Sequence, residues 1–256
     1  MKKLSLVLLM FLLSTTSVFA NKAIKFIQVT DVMFKDYSLP LEKVIQDINR
    51  TPDVDFVVFT GNNITKPNID CLNNFLNETK HINRPYYIVL GNKDISKTRN
   101  MDKATYMKIV KRYNRGHSSD TNYSFRKGDY VFLVVDGSKE LVPTPNGFYN
   151  KQTIEWIDKQ LTKNAKYKVV ILQHFPLANK PKNEAYTTYN VLEYMQMLSQ
   201  HDNVLAIISG HYDKNEEVMY NGVYHITTPS LGKGIYKIID IDENGAVYTL
   251  LKEIQK

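Results

Sequence analysis

Apolar residues in this chain come in short unbroken runs that stop on glycine or histidine. Tyr86–Leu90 ends at Gly91-Asn92-Lys93-Asp94, Phe56–Thr60 at Gly61-Asn62-Asn63, Val169–Gln173 at His174, and Leu205–Ser209 at Gly210-His211-Tyr212-Asp213. Runs rich in β-branched and aromatic residues, bounded in this way, read as buried strands. Each therefore delivers residues with chemical capability to a strand's carboxyl end, where open α/β sheets keep their sites. Ile24–Thr30, ending at Asp31, reads as one more such strand.

Between these runs the period changes. Leu41, Val44, Ile45 and Ile48 fall at helical spacing, with Pro40 suited to a first turn. Cys71, Leu72, Phe75 and Leu76 share one face of a helix ending near His81, which predicts a core thiol. Further helices are predicted over Met101–Tyr113 (Tyr106, Val110 and Tyr113 inward), around Ile154, Ile157 and Leu161, and over Tyr186–Leu198. Hairpins are expected over Lys127-Gly128-Asp129, Asn221-Gly222 and Glu243-Asn244-Gly245. Strand and helix alternate early, implying parallel pairing with right-handed crossovers. The later half reads as more antiparallel. The expectation is two sheets packed face to face with helices outside, an α/β chain without internal repeats.

Composition adds a compartment. Lys2-Lys3, the apolar run from Leu4 to Leu13 and Val18-Phe19-Ala20 have the three parts of a secretory signal peptide over residues 1–20, cut after Ala20. That would leave a single domain over residues 21–256, secreted or periplasmic, with no later run long enough to span a membrane. The alternative is an uncleaved anchor. A single Cys rules out an internal disulfide. The formal charge of +7 falls to +5 once Lys2 and Lys3 are removed, and no basic run remains. Such a balance suits a phosphate ester or other anionic small molecule and gives no expectation of a nucleic acid polymer.

The potential ligands at the strand ends are Asp31, Asn62, Asn92, Lys93, Asp94, His174, His211 and Asp213. Imidazole nitrogens with carboxylate and amide oxygens are a donor set for a divalent cation. In order and spacing they resemble the calcineurin-like metallophosphoesterases, whose pattern is Asp-X-His, Gly-Asp, Gly-Asn-His-Asp or Glu, a lone His, then Gly-His-X-His. The matching stretches are Asp31-Val32-Met33, Gly61-Asn62, Gly91-Asn92-Lys93-Asp94, His174 and Gly210-His211-Tyr212-Asp213. Trp156 and Thr227–Leu231 look like the branch of secreted and cyclic-nucleotide-type phosphodiesterases.

The resemblance implies a four-layer α/β/β/α metallophosphoesterase sandwich of two mixed sheets flanked by helices. It also implies metal positions for Asp31, Asn62, Asn92, His174, His211 and Asp213, and catalytic positions for Lys93 and Asp94. At the first metal position the family's His is Met33, its bridging Asp is Asn62, and its last His is Asp213. The second position keeps Asn92, His174 and His211, and the family's proton-donating His is Lys93. Two divalent cations ~3.5–4 Å apart repel by about 17–19 kcal/mol at an effective dielectric of ~20, and the bridging carboxylate is the main local compensation. Asn62 brings a dipole and no charge. A dinuclear centre is therefore not expected, and one divalent cation (Zn, Mn or Fe) is. Two functions follow. One is an exported phosphoester hydrolase with a reduced, mononuclear site; the other is a non-catalytic relative, a pseudoenzyme that binds a phosphorylated ligand or a protein partner.

Overall fold

The computed structural model describes residues 22–35, 40–141, 144–181 and 183–254, so the expected signal peptide lies outside the described residues. In chain order the elements are β1 (Ile24–Val29), α1 (Leu41–Arg50), β2 (Phe56–Thr60), α2 (Ile69–Thr79), β3 (Tyr86–Val89) and α3 (Lys103–Tyr113). Then come β4 (Tyr123–Lys127), β5 (Tyr130–Val135), β6 (Gly147–Phe148), α4 (Lys151–Lys163), β7 (Lys168–Gln173), β8 (Thr188–Tyr189) and α5 (Val191–Leu198). The chain closes with β9 (Val204–Ser209), β10 (Glu216–Tyr220), β11 (Val223–Thr227), β12 (Ile235–Ile241) and β13 (Val247–Glu253).

Two mixed sheets carry the fold. The first runs β13-β12-β1-β2-β3 and the second β10-β11-β9-β7-β5-β4. In the first, β1, β2 and β3 are parallel; in the second, β5, β7, β9 and β11 are parallel. Strands covered on both faces need no polar alternation, which is why β2 and β5 are buried at every residue. Helices α1, α2 and α3 pack with the first sheet in one large core, and α4 and α5 cover the outer face of the second in another. The layers are α/β/β/α, as expected.

Aromatic rings join the sheets. Phe26 of β1 stacks on Phe56 of β2 at 4.8 Å, and Phe132 of β5 meets Phe56 edge-on at 4.9 Å. Helix starts are chemically marked: Asn68, Asp102 and Asn150 accept backbone N–H bonds from the first turns of α2, α3 and α4.

Three expectations need correction. The later half is not simply antiparallel: its central strands are parallel, and the last hairpin leaves it to pair β12 antiparallel with β1 in the first sheet. The helix expected over Tyr186–Leu198 begins only at Val191, because Asn190 takes a left-handed conformation (φ 62°) and Thr188–Tyr189 pair with β6. Cys71 is only partly buried, its Sγ 3.7 Å from the Phe34 carbonyl.

Candidate functional site

Parallel strands in both sheets send their carboxyl ends to one edge of the sandwich. Gln28, buried in β1, aligns them there: its amide donates to Ser209 O (2.8 Å) and Thr60 Oγ1 (2.9 Å) and accepts from Thr228 Oγ1 (2.5 Å). A cleft of about 470 Å³ opens at this edge, lined by Asp31, Met33, Asn62, Asn92, Lys93, His211 and Asp213 among others. His174 is fully buried and touches the cleft through His211.

The strand ends turn sharply to reach this edge. Asp31, Met33, Asn62, His211 and Asp213 all have positive φ, between 47° and 67°. Asn, Asp and His tolerate this conformation better than other residues, whereas for Met33 it is an outlier. Concentrated at one place, such strain marks a site that the surrounding fold holds in shape. Gly61 also has positive φ, and a Cβ there would lie 2.6 Å from His174 Nδ1.

Asp31 is the most heavily engaged group. Its Oδ1 accepts from Asn62 Nδ2 (2.9 Å), and its Oδ2 accepts from the His211 N–H (3.0 Å) and Thr30 Oγ1 (2.9 Å). Burial pushes its pKa above the usual carboxylate range, while His211 and these hydrogen bonds pull it back. Asn62 Oδ1 accepts the Lys93 backbone N–H at 2.9 Å, so both ends of that amide are occupied. Asp213 accepts the Ser230 N–H at 3.0 Å and pairs with Lys233 Nζ at 2.9 Å.

The imidazoles differ. His174 Nδ1 lies 2.7 Å from the Thr60 carbonyl, which requires a proton on Nδ1 and leaves Nε2 as an acceptor. That Nε2 is 3.1 Å from His211 Nδ1, and the network assigns the shared proton to His211. Burial holds His174 down to about 4, helped by the positive charge of Lys93, and it lowers His211 too, with His174 and Lys93 adding to the effect. Both rings are therefore neutral near pH 7. His211 Nε2 is buried with no hydrogen-bond partner within range among the described residues, although the Pro145 carbonyl lies near enough to favour a proton on this ring. Asn92 Oδ1 is likewise buried with no partner among the described residues.

The structure thus brings seven of the eight sequence-predicted residues to the cleft or its floor. The eighth, Asp94, stands behind the loop instead of in the cleft, against the catalytic position expected for it. It is fully buried and accepts from Gly91 N (2.8 Å), Ile64 N (3.0 Å) and Asn63 Nδ2 (3.0 Å). Burial raises its pKa to about 7 against those bonds. It ties together the loops that present Asn62 and Asn92. Sequence reasoning missed Tyr186, whose ring lies 5.4 Å from that of His211, and Lys233. A signal for Lys233 existed, since β11 is parallel to β9 and Ser230–Lys233 follow its carboxyl end.

A family model described as calcineurin-like phosphoesterase matches residues 24–213, and the chain belongs to that family. It is 23% identical to a 3′,5′-cyclic adenosine monophosphate phosphodiesterase of Haemophilus influenzae, over 91% of each chain. A probable cyclic nucleotide phosphodiesterase of Colwellia psychrerythraea is 24% identical over 75% of this chain and 72% of its own. Among solved structures, a dimetal phosphatase from Danio rerio superposes with a TM-score of 0.67 at 16% identity, covering 91% of this chain and 99% of its own. GAP50, the anchor in the inner membrane complex of Plasmodium, superposes with a TM-score of 0.61 at 16% identity over 92% and 90%.

Proposed function

We propose that this protein is an exported phosphoester hydrolase that holds one divalent cation at Asn92, His174 and His211. The observation that carries this reading is the unpartnered Asn92 Oδ1, which lines the same cleft as His211. His174 Nε2 carries a lone pair that accepts from His211 Nδ1 at 3.1 Å and is released when that proton leaves. His211 Nδ1 becomes a donor atom if its proton moves to Nε2, on the side where the Pro145 carbonyl favours one. The first position does not fit a metal, because Asp31, Asn62 and Asp213 are committed to protein partners and Met33 is a poor ligand for hard or borderline cations. Among the described residues no group of three or more His, Cys, Asp or Glu could hold an ion, so the fit rests on the Asn92 amide.

When bound, such a cation supplies charge that polarises a phosphoryl oxygen and acidifies a water molecule. The remaining work falls to the chain. Lys93 lines the cleft without an ion-pair partner among the described residues and is placed to hold the phosphoryl oxygens. Met33 and Tyr186 supply apolar walls that limit water. The two sequence relatives are a cyclic adenosine monophosphate phosphodiesterase and a probable cyclic nucleotide phosphodiesterase, which makes small phosphodiesters the substrate class proposed for this cleft.

A second reading is favoured by Asn62: it satisfies Asp31 and the Lys93 N–H at once, closing the network without any ion. On that reading the cleft binds a phosphorylated ligand without turnover, and the family fold also serves GAP50 as an anchor. Hydrolysis of bis(p-nitrophenyl) phosphate and p-nitrophenyl phosphate with added Mn²⁺ or Zn²⁺ separates the two. The hydrolase reading expects turnover that saturates at one cation and disappears in His211→Ala. Absence of turnover, together with phosphate binding that is lost in Lys93→Ala, establishes the second reading. Absence of both removes both.

A further inference from the structure

Beside the cleft lies another cavity of about 540 Å³, which shares Asn92, Lys93 and Tyr186 with it. The volume is in the range of small-molecule sites. Its charge differs from that of the cleft. In the cleft Lys93 and Lys233 face Asp31 and Asp213, and one of those pairs is already closed as Lys233–Asp213. Among the described residues the annex is lined by two cations, Lys93 and Arg99, and by no Asp or Glu. Neither cation has an ion-pair partner among the described residues.

The rest of the annex wall suits an anion. Thr144 Oγ1, on its lining, is buried with no hydrogen-bond partner among the described residues. Ser96 and Thr98 contribute hydroxyls, paired with each other at 3.0 Å. An arginine fork matches the oxygens of phosphate or carboxylate, and the field of two unneutralised cations in a concave wall concentrates negative charge there. Tyr186 is 43% exposed and stands where the two cavities meet.

We infer that the annex holds a second anionic group of the same ligand, so that the preferred ligand is a phosphate ester that carries a second anionic group. Its phosphoryl group sits between Lys93 and His211, and its second phosphate or carboxylate sits at Arg99. This deepens the proposed function and rests on the placing of a phosphoryl group at Lys93.

Calorimetric titration of the full chain with inorganic phosphate, alkyl phosphates, the matching α,ω-bisphosphates and ω-carboxyalkyl phosphates tests it. At least one ligand with two anionic groups binds about tenfold or more tighter than its single-phosphate parent, from one charge-assisted contact. Arg99→Ala removes that gain and leaves the alkyl phosphate within about twofold of its original Kd. Arg115→Ala, which removes an equal charge from an exposed position outside both cavities, keeps the gain. The comparison of bisphosphates with carboxyalkyl phosphates identifies the second group. Equal affinity for ligands with one and with two anionic groups overturns the inference, as does a gain that survives Arg99→Ala or is lost equally in Arg115→Ala. Failure of inorganic phosphate and alkyl phosphates to bind at all overturns the reading beneath it instead.

Discussion

The two halves of the cleft are built from the same kind of strand-end turn, yet they have settled differently. In one, Asp31, Asn62 and Asp213 have each found protein partners, with Asp31 accepting three hydrogen bonds and Asp213 paired with Lys233. In the other, Asn92 Oδ1 and His211 Nε2 are buried with no side-chain or close backbone partner among the described residues. Buried polar atoms are nearly always satisfied, so the second half keeps an unmet demand that the first has lost. One exchange accounts for much of the contrast: an amide at residue 62 donates to Asp31 where a carboxylate would repel it. The same cleft therefore contains a closed network and, beside it, an amide oxygen that the chain leaves unpaired among the described residues.

Restoring the carboxylate is the strongest way to break this contrast. Asn62→Asp replaces the 2.9 Å donor to Asp31 with a like charge in a buried place, and should cost about 3 kcal/mol in metal-free protein. Thermal unfolding reads the loss, and added Mn²⁺ should raise the melting temperature of Asn62→Asp by more than that of the parent, which binds one cation. Equal stability of the two proteins without metal would show that Asn62 does not close the first half.

Acid sharpens the comparison, because the halves titrate with opposite sign. His174 is held down to about 4, so between pH 6.5 and 4 the unfolded chain takes up a proton that the folded chain refuses. Stability is then lost as pH falls, by about 2 kcal/mol from this residue between pH 7 and pH 5. Asp31 is raised, so its contribution is present below the unfolded carboxylate value and is lost as pH rises. Unfolding curves at pH 7 and pH 5 should converge by that amount in His174→Gln. An unchanged pH dependence would contradict a neutral imidazole at residue 174.

Lys93→Ala should weaken binding of inorganic phosphate by about tenfold, the worth of one charge-assisted contact. Its stability should barely change, since the side chain is exposed. The smallest effect is expected from Lys233→Ala, which removes a half-exposed pair worth under ~1 kcal/mol. It frees the Asp213 carboxylate without adding a metal site, because Asp31 and Asn62 stay committed to each other.

Most of this site could be read along the chain, and the reason is local. Strands buried on both faces are continuous apolar runs, and the residues that break them (Gly61, Gly91, His174, Gly210) stand at or directly before the residues that line the cleft or its floor. What escaped depended on long-range pairing or on conformation. The return of β12 to β1, with Ile24 opposite Ile241, has no local mark. Gln28 sits inside an apolar run, and nothing near it in sequence shows that it would clamp Ser209 and Thr228. Asp94 shares its motif with Asn92 and Lys93 but turns inward to Gly91, Ile64 and Asn63, a choice set by the loop and not by residue type. Asn190 ends a helical pattern by adopting a left-handed conformation that its neighbours do not reveal.

Native mass spectrometry of the unaltered chain, purified with excess Mn²⁺ or Zn²⁺ and desalted, measures the stoichiometry on which this account depends. One bound cation in the parent and none in His211→Ala is the predicted result. Two tightly held cations per molecule would contradict it, because the first half of the cleft would then be open to metal despite Asn62.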